Sequence, residues 1–580
     1  MTILFDREIP RTLDALVGDL SRGHQGAVVE AWLFEDEAAR REAETALAAA
    51  GVSARLRSAY KPLVHAVLEE IDTNGLAAAT IRYPVHPAAV PDRFLLEAYP
   101  LAALLPDVDL RFEPGDEAPY YHVALRYRDG RTVTMAVFAP NHLDTDHQGA
   151  ACLSPTGWLR ITGRPDGQPD QDERIETEVE ALFRAVVETV QAHPWGTDEP
   201  YFERLSIRAE VPAIERPLPF HEEAISLHEA LHEDFYFSLL EVFQRHSGRP
   251  AGDRRLQPGQ IVPEIRSLTG TPRVRVETVG FGDLSAEAGD WPAQVLDTAA
   301  APLSIAQIHR DLEALGGEPI LARSRQGRAV PGLIRPGSRP AVVVTGGQHA
   351  NETTGPVGAL RAAQILWQDP DQHLALIPLE NPDGYALHQR LARNNPRHMF
   401  HAARYTALGD DLEYRTGDGL FERAARQEAI ARTGAQLHVN LHGYPAHEWT
   451  RPFTGYLPRG FEMWTIPKGF FLILRHHAEW EAPGMALVEA VTRRLARIDP
   501  LLDLNRMQLA AYGAHAGATP FQVINGIPCL IGVDERHGPP LTLITEYPDE
   551  TIYDDRFILG HTVQMETVLA AVEHHTAVMA

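Results

Sequence analysis

Cysteine is nearly absent: Cys152 and Cys529 are the only two in 580 residues. They allow at most one disulfide and exclude a cysteine-rich metal site, so any bound metal falls to His, Asp and Glu. Long apolar runs are missing too. No stretch of 18 apolar residues could cross a bilayer, and the opening "MTILFDREIPRT" has neither the basic start nor the apolar core of a secretory signal. These absences predict a cytoplasmic protein with no membrane partner. Positive charge is in deficit, 53 basic residues against 79 acidic ones for a net charge of -26. That balance argues against a nucleic-acid backbone or an anionic membrane as the main partner.

What is present is globular, 44% hydrophobic and 23% charged. A chain of this length exceeds one hydrophobic core and predicts two to four domains. Up to about residue 250, strand-like runs ("HVALRYRDGRTVTMAVFAP") mix with helical ones ("RIETEVEALFRAVVETVQAH"), an α+β pattern. The breakers "GRPDGQPDQDE" and "HSGRPAGDRRLQPG" are loops by composition. The second suggests a boundary, giving an N-terminal region over 1–250, a connecting segment over 251–300 and a C-terminal domain over 301–580, with another loose connection at 288–302. No internal repeat is visible. From about residue 300, apolar runs alternate with helical patterns ("SIAQIHRDLEAL", "PAVVVTGG", "TGPVGALRAAQIL"). Alternation of this kind predicts an α/β fold, with a mixed, largely parallel sheet carrying helices on both faces and its ligands beyond the carboxyl ends of the strands.

Four strand candidates in this part end in reactive side chains. "AVVVTGGQHANE" delivers His349 and Glu352, "HLALIPLENPDGY" ends in a turn holding Asp383, "QLHVNLHGY" delivers His442, and "LTLITEYPDE" delivers Glu546. Two histidines and a carboxylate leave an open fourth position on zinc, the catalytic arrangement. Each has a plainer reading: a loop histidine, a glutamate favouring a helix start, a strand-edge histidine with His438 as substitute, or a structural carboxylate with Glu550 as substitute. Asp383 suits turn chemistry better than a role behind the metal.

Together these segments resemble the zinc carboxypeptidase family, the carboxypeptidase A-like metallopeptidases and their amidohydrolase relatives, over about residues 300–580. "GGQHANETTG" is similar to the family's His-x-x-Glu segment, "NPDGY" to its Asn-Pro-Asp-Gly turn, "LHGY" to its third-ligand strand, "LITEYPD" to its catalytic glutamate strand, and "SRQGRAVPGLI" to the Gly-Arg strand before the ligands. The resemblance implies one zinc per chain on His349, Glu352 and His442. It implies Glu546 as general base and acid, Arg393 as donor to the developing oxyanion, and a peptide or acyl-amino-acid substrate. It also implies substrate-side roles for Arg415, Tyr444 and Tyr512. The family's Asn-Arg pair for a terminal carboxylate is matched only by "DDLEYR", where Asn is missing and Glu413 would suit a cationic group instead. A metallocarboxypeptidase is the leading expectation, with a deacylase or amidase of the same fold, or a non-catalytic zinc-site binding protein, as alternatives.

A second metal signature lies upstream. "AISLHEALHEDFYFSLLEVF" contains His-Glu-x-x-His, His228, Glu229 and His232, on a helical pattern. Phe235 and Ser238 stand where one class of zinc peptidase places Gly and a third His, and nothing marks Glu264 as a distant ligand. The expectation is a structural helix that lines the downstream site or meets a partner.

Overall fold

The computed structural model describes residues 1–164, 169–250, 252–282, 291–417, 419–536 and 538–579, apart from the side chain of Met463. The loops read at 163–173 and 288–302, and the linker read over 251–300, lie partly outside these residues. Cys152 and Cys529 are buried and free. No helix among the described residues is long and apolar enough to cross a membrane.

The C-terminal half is built on a nine-stranded mixed sheet. Its order is Glu318–Pro319, Leu333–Arg335, Leu374–Ile377, Val342–Gly346, Leu437–Pro445, Leu541–Glu550, Phe471–His476, Ile527–Val533 and Gln522–Ile524. Four strands from Leu374–Ile377 to Leu541–Glu550 run parallel, and antiparallel neighbours flank them. Both faces are covered, as the continuous apolar runs require. Val342 and Val344 join a core with the helices Thr354–Leu366 and Asp554–Met579, while Val343 joins a smaller core with Ala425 and Ala429 of the helix Arg423–Thr433.

The N-terminal half is α+β, with three separate four-stranded sheets and several helices. One of them moves the expected boundary. Gln260–Ser267 pairs parallel with Arg204–Val211, and Arg273–Val279 inserts between Arg204–Val211 and Thr2–Glu8. Residues 260–279 are therefore not a linker; their partners lie far away in sequence, and local composition conceals the pairing.

The two halves share a hydrophobic cluster, in which Phe235, Leu239 and Phe243 join Phe400, Trp449 and Phe453. At its centre is the helix Leu227–His246, capped by Ser226 Oγ, which accepts from the Glu229 N–H at 3.0 Å. This is the His-Glu-x-x-His helix, and it is buried on nearly every side. His228 places Nε2 2.9 Å from the Val211 carbonyl and Nδ1 2.9 Å from Glu215. His232 packs edge-on against Phe400, and burial pushes its pKa down to about 4. The acid of the motif and the one that follows it reach the other half: Glu229 meets His447 at 2.7 Å, and Glu233 meets His401 at 2.5 Å. The helix is thus a brace between halves, its histidines committed to packing and its glutamates to cross-half pairs.

Burial would lower the pKa of His447, but the Glu229 carboxylate overrides it and lifts the value to about 9. A raised histidine pKa stabilises the fold fully below the unfolded value near 6.5, and that stabilisation is lost as pH rises through about 9. The size is about 3 kcal/mol at ~1.4 kcal/mol per unit. Chemical denaturation across pH 6 to 10 is expected to show stability falling over this window in the parent protein. The Glu229→Gln variant is expected to be less stable at pH 6 and to show a smaller fall.

Candidate active site

The parallel strands bring three of the four reactive segments, those bearing His349, His442 and Glu546, to one cleft. The chain leaves Val342–Gly346 through Gly347, whose φ of 61° and close approach to Leu379 suit only glycine, and turns through His349 to Glu352 before the helix Thr354–Leu366. His442 lies on Leu437–Pro445 and stands opposite Glu546 on Leu541–Glu550 in the parallel register. Alternation puts both on the cleft face, with His438, Asn440 and Tyr444 beside His442, and Thr542 and Ile544 beside Glu546. The cleft encloses about 720 Å³.

His349, Glu352 and His442 form the one group of three or more metal-ligating side chains among the described residues, with a ligand atom from each within 4.8 Å of the others. His349 Nδ1 is 2.8 Å from Glu352 Oε1, His442 Nδ1 is 3.0 Å from Glu352 Oε2, and the two Nδ1 atoms are 3.1 Å apart. Two imidazoles and a carboxylate converging this closely fit a zinc ion with room for a further ligand. Burial opposes the charge on Glu352, but His349, Arg404 and His442 hold its pKa well below the usual range. Burial and Arg404 oppose protonation of His349, yet Glu352 and Asp411 raise its pKa to about 9. A proton on His349 and a metal ion therefore compete for the same electron-rich pocket.

Residues around these three side chains orient them. Asp411 lies 3.5 Å from His349 Nε2, and Gln348 bridges Asp411 and Arg426. Glu546 is half-buried on the cleft wall. Burial and the Glu352 charge lift its pKa to about 8, against the pull of Arg404, His349 and Lys468. Lys468 is buried among Tyr444, Trp464, Phe471 and Tyr512, with Nζ 4.5 Å from the Trp464 ring centre.

Several expected roles fall elsewhere. Arg393 is exposed at the end of the helix Pro382–Ala392 and does not line the cleft, because the helix end turns it to solvent. Arg404 does line it, 2.6 Å from Glu352 and 3.8 Å from Glu550. No motif in the sequence singled it out. Arg415 borders the cleft, but its guanidinium is spent on Asp410, Glu422 and Thr406, buried at each end, so it does not offer a fork to a substrate carboxylate. Glu413 is no free cation site either, being 2.9 Å from Arg426, 3.2 Å from Arg536 and 3.6 Å from Arg475. Tyr444 lines the cleft with its hydroxyl donating to the Gly469 carbonyl at 2.6 Å. Tyr512 is buried on the helix Asp499–Ala516 and stays out of the cleft. Among the substitutes considered, His438 Nε2 is 2.8 Å from the Thr345 hydroxyl, and Glu550 accepts from Asn351 at 2.7 Å. Asp383 does turn chemistry, accepting from Ser324 Oγ, the Gln326 N–H and Arg328 at 2.7 to 2.9 Å. It thereby ties the segment "SRQGR" to the Asn-Pro-Asp-Gly turn.

Residues 320–415 match the family model described as zinc carboxypeptidase. The matched segment holds His349 and Glu352 and ends before His442 and Glu546. Over it the chain resembles the family that its motifs suggest. The structure aligns with a metallo-carboxypeptidase from Burkholderia cenocepacia at 14% identity, over 54% of this chain and 77% of that one, with a TM-score of 0.31. It aligns with the carboxypeptidase A from Helicoverpa armigera at 12% identity, over 54% and 90%, with a TM-score of 0.28. A succinylglutamate desuccinylase/aspartoacylase from Rhodobacter sphaeroides aligns at 17% identity, over 44% and 62%, with a TM-score of 0.24. No curated protein matches the sequence.

The buried position of Arg415 between two carboxylates predicts a structural penalty. Arg415→Ala is expected to lower unfolding stability by about 3 to 5 kcal/mol, because Asp410 and Glu422 are left buried without their cation. Arg393→Ala is expected to change it by less than about 0.5 kcal/mol. Denaturant titration of the two variants distinguishes these roles.

Proposed function

We propose that this protein is a zinc-dependent hydrolase that cleaves an amide bond in a peptide or acyl-amino-acid substrate, with one zinc per chain on His349, Glu352 and His442. The observation that carries the reading is the register of Leu437–Pro445 with Leu541–Glu550, which sets Glu546 directly beside a ligand of the candidate metal group inside a cleft. Zinc bound there would supply Lewis acidity toward water and the scissile carbonyl. Glu546 takes a proton from the attacking water and returns it to the departing nitrogen. Its carboxyl is poised for both transfers, since burial raises its pKa and the positive charge at the ligands lowers it. Arg404 is the cationic donor for the negative charge that develops on the carbonyl oxygen. Its guanidinium lines the cleft and is tethered to the ligand Glu352.

A metallocarboxypeptidase is one form of this reading. The commitment of Arg415 to Asp410 and Glu422 favours the second form, a deacylase or amidase whose substrate needs no free terminal carboxylate at that position. Matched peptides with free and amidated C-termini separate the two.

Native protein is expected to carry one zinc, lost in His349→Ala and retained in His228→Ala, as read by metal analysis. Glu546→Gln is expected to keep the zinc and lose about 100- to 10,000-fold in kcat on any substrate turned over. A zinc-loaded protein that cleaves no member of a broad peptide and acyl-amino-acid panel, and that Glu546→Gln leaves unaltered, would sink the proposal.

A further inference from the structure

In the N-terminal half, the sheet of order Gln171–Ile175, Gly157–Thr162, Val28–Leu33 and Ser53–Ser58 has two unlike faces. On one, Val29, Ala31, Leu56 and Leu159 pack into a core with Leu13 and Leu47 of the helices Thr12–Leu20 and Glu37–Ala49. Alternation sends Glu30 and Trp32 to the other, where the register sets Arg57 beside Trp32 and Arg160 beside Glu30. The helix Pro62–Glu69 and the strands Tyr120–Tyr127 and Thr132–Phe138 close over this second face around a pocket of about 220 Å³. It shares no lining residue with the cleft.

Trp32 is the anomaly in this pocket. It is 2% exposed, and its indole N–H has no hydrogen-bond partner among the described residues. An indole N–H can only donate, and a buried one is ordinarily bonded. Those of Trp195, Trp367 and Trp449 reach backbone carbonyls at 2.7 to 2.9 Å. The ring of Trp32 is covered, with the Arg57 and Arg160 guanidinium carbons 5.5 and 5.0 Å from its centre and Phe138 edge-on at 5.0 Å. What it lacks is an acceptor at its edge.

His65 supplies the complement. It is buried in the pocket wall, and burial pushes its pKa down to about 4, so the imidazole is neutral. Its Nδ1 lies 3.1 Å from the Lys61 carbonyl, which can only accept; Nδ1 therefore carries the proton and Nε2 remains an acceptor, with no donor on it among the described residues. The charged side chains of the wall are already paired. Glu30 and Glu70 hold Arg57, Glu69 holds Arg40 and Arg41, and Asp172 holds Arg160. An ionic ligand would find no unpaired counter-charge, whereas Ala66, Met135 and Val137 offer apolar contact. The volume is several times the ~30 Å³ share of a water and below the ~300–1,000 Å³ of drug-sized sites, which suits a single ring. The helix bearing His65 is also fixed from outside, since the Tyr60 hydroxyl lies 2.7 Å from Thr450 Oγ1 and Lys61 pairs with Glu448. A ligand meeting this wall has little to reorganise.

We infer that this pocket is a binding site for a small neutral amide, the ring amide of a pyrimidine base or an aromatic carboxamide, whose carbonyl accepts from Trp32 Nε1 and whose N–H donates to His65 Nε2. The site is separate from the candidate metal group and does not rest on the hydrolase reading.

Calorimetric titration of the full chain with uracil and with nicotinamide is expected to show saturable binding of at least one of them. The N-methylated counterparts, 1,3-dimethyluracil and N,N-dimethylnicotinamide, keep the carbonyl and lose the N–H, and are expected to bind at least about tenfold more weakly. Trp32→Phe removes the donor and His65→Leu the acceptor, and each is expected to weaken binding by a similar factor. Bound amide is expected to slow hydrogen exchange over Pro62–Glu69 and Thr132–Phe138. Should the buried variants fail to fold, Ala136→Trp, at an exposed position on the pocket wall, is expected to abolish binding by filling the mouth. Failure of both amides to bind would overturn the assignment. So would binding that is indifferent to N-methylation and to these substitutions, or exchange protection confined to the cleft of His349.

Discussion

The pairing of Leu437–Pro445 with Leu541–Glu550 is the constraint on which the site depends. Side chains alternate along both strands, and the two faces have opposite demands. Leu437, Val439, Leu441, Leu541 and Leu543 enter the large C-terminal core, while His438, His442, Thr542 and Glu546 face the cleft. A slip of one residue in either strand would drive charged groups into that core and leucines into the cleft. Burial of the leucines therefore enforces the placement of His442 against Glu546. Thr545 adds a polar lock, its hydroxyl accepting from the His442 N–H at 3.0 Å and donating to Gln564 at 2.6 Å. Because the strands bearing His442 and Glu546 share hydrogen bonds, the two groups hold their spacing without help from a loop.

A face carrying this many polar groups is costly to bury unless each is partnered. Some partners are local, as where Thr345 joins His438 to Asn440 at 2.8 and 2.7 Å. Others come from the N-terminal half. Glu229 and Glu233 receive His447 and His401, Arg451 is held by Glu241, and Arg254 reaches the cleft to donate to the Tyr414 hydroxyl at 3.0 Å. The N-terminal half thus stands as part of the dielectric and hydrogen-bonding environment of the cleft. A separated C-terminal half would expose unpaired buried histidines as well as apolar surface.

What was legible in the sequence tracks the range of the interaction. Period and apolar runs depend on near neighbours, so the strand ends bearing His349, Glu352, His442 and Glu546 stood out; His349, His442 and Glu546 line one cleft, and Glu352 lies against the two histidines. Arg393 stays out of the cleft because counting residues past the Asn-Pro-Asp-Gly turn ignores where the helix Pro382–Ala392 ends; Arg393 caps it in solvent, and the short helix His401–Arg404 carries Arg404 inward. The linker reading failed for a related reason, since Gln260–Ser267 finds its partner at Arg204–Val211 across the intervening helix. The His-Glu-x-x-His motif looked ambiguous on its own because what decides it lies at His401 and His447, far along the chain.

Net charge illustrates the same limit from the other side. A chain at -26 repels extended polyanions, yet its cleft ends in a group of arginines. The two facts act over different distances. Exposed charges are screened beyond about 8 to 10 Å at ordinary ionic strength, so the acidic surface shapes encounters with large partners but contributes little inside a pocket. Within the cleft, low-dielectric walls leave the nearest charges dominant, and those include Arg423, Arg426, Arg475 and Arg536 set against Asp411, Glu413 and Asp534. Glu413 sharpens the point: alone it would attract a cation, but three guanidinium groups surround it, and the local sign is set by its neighbours. Total charge and local charge are therefore separate properties of one chain, the first written in its composition and the second in which side chains one helix and one strand bring face to face.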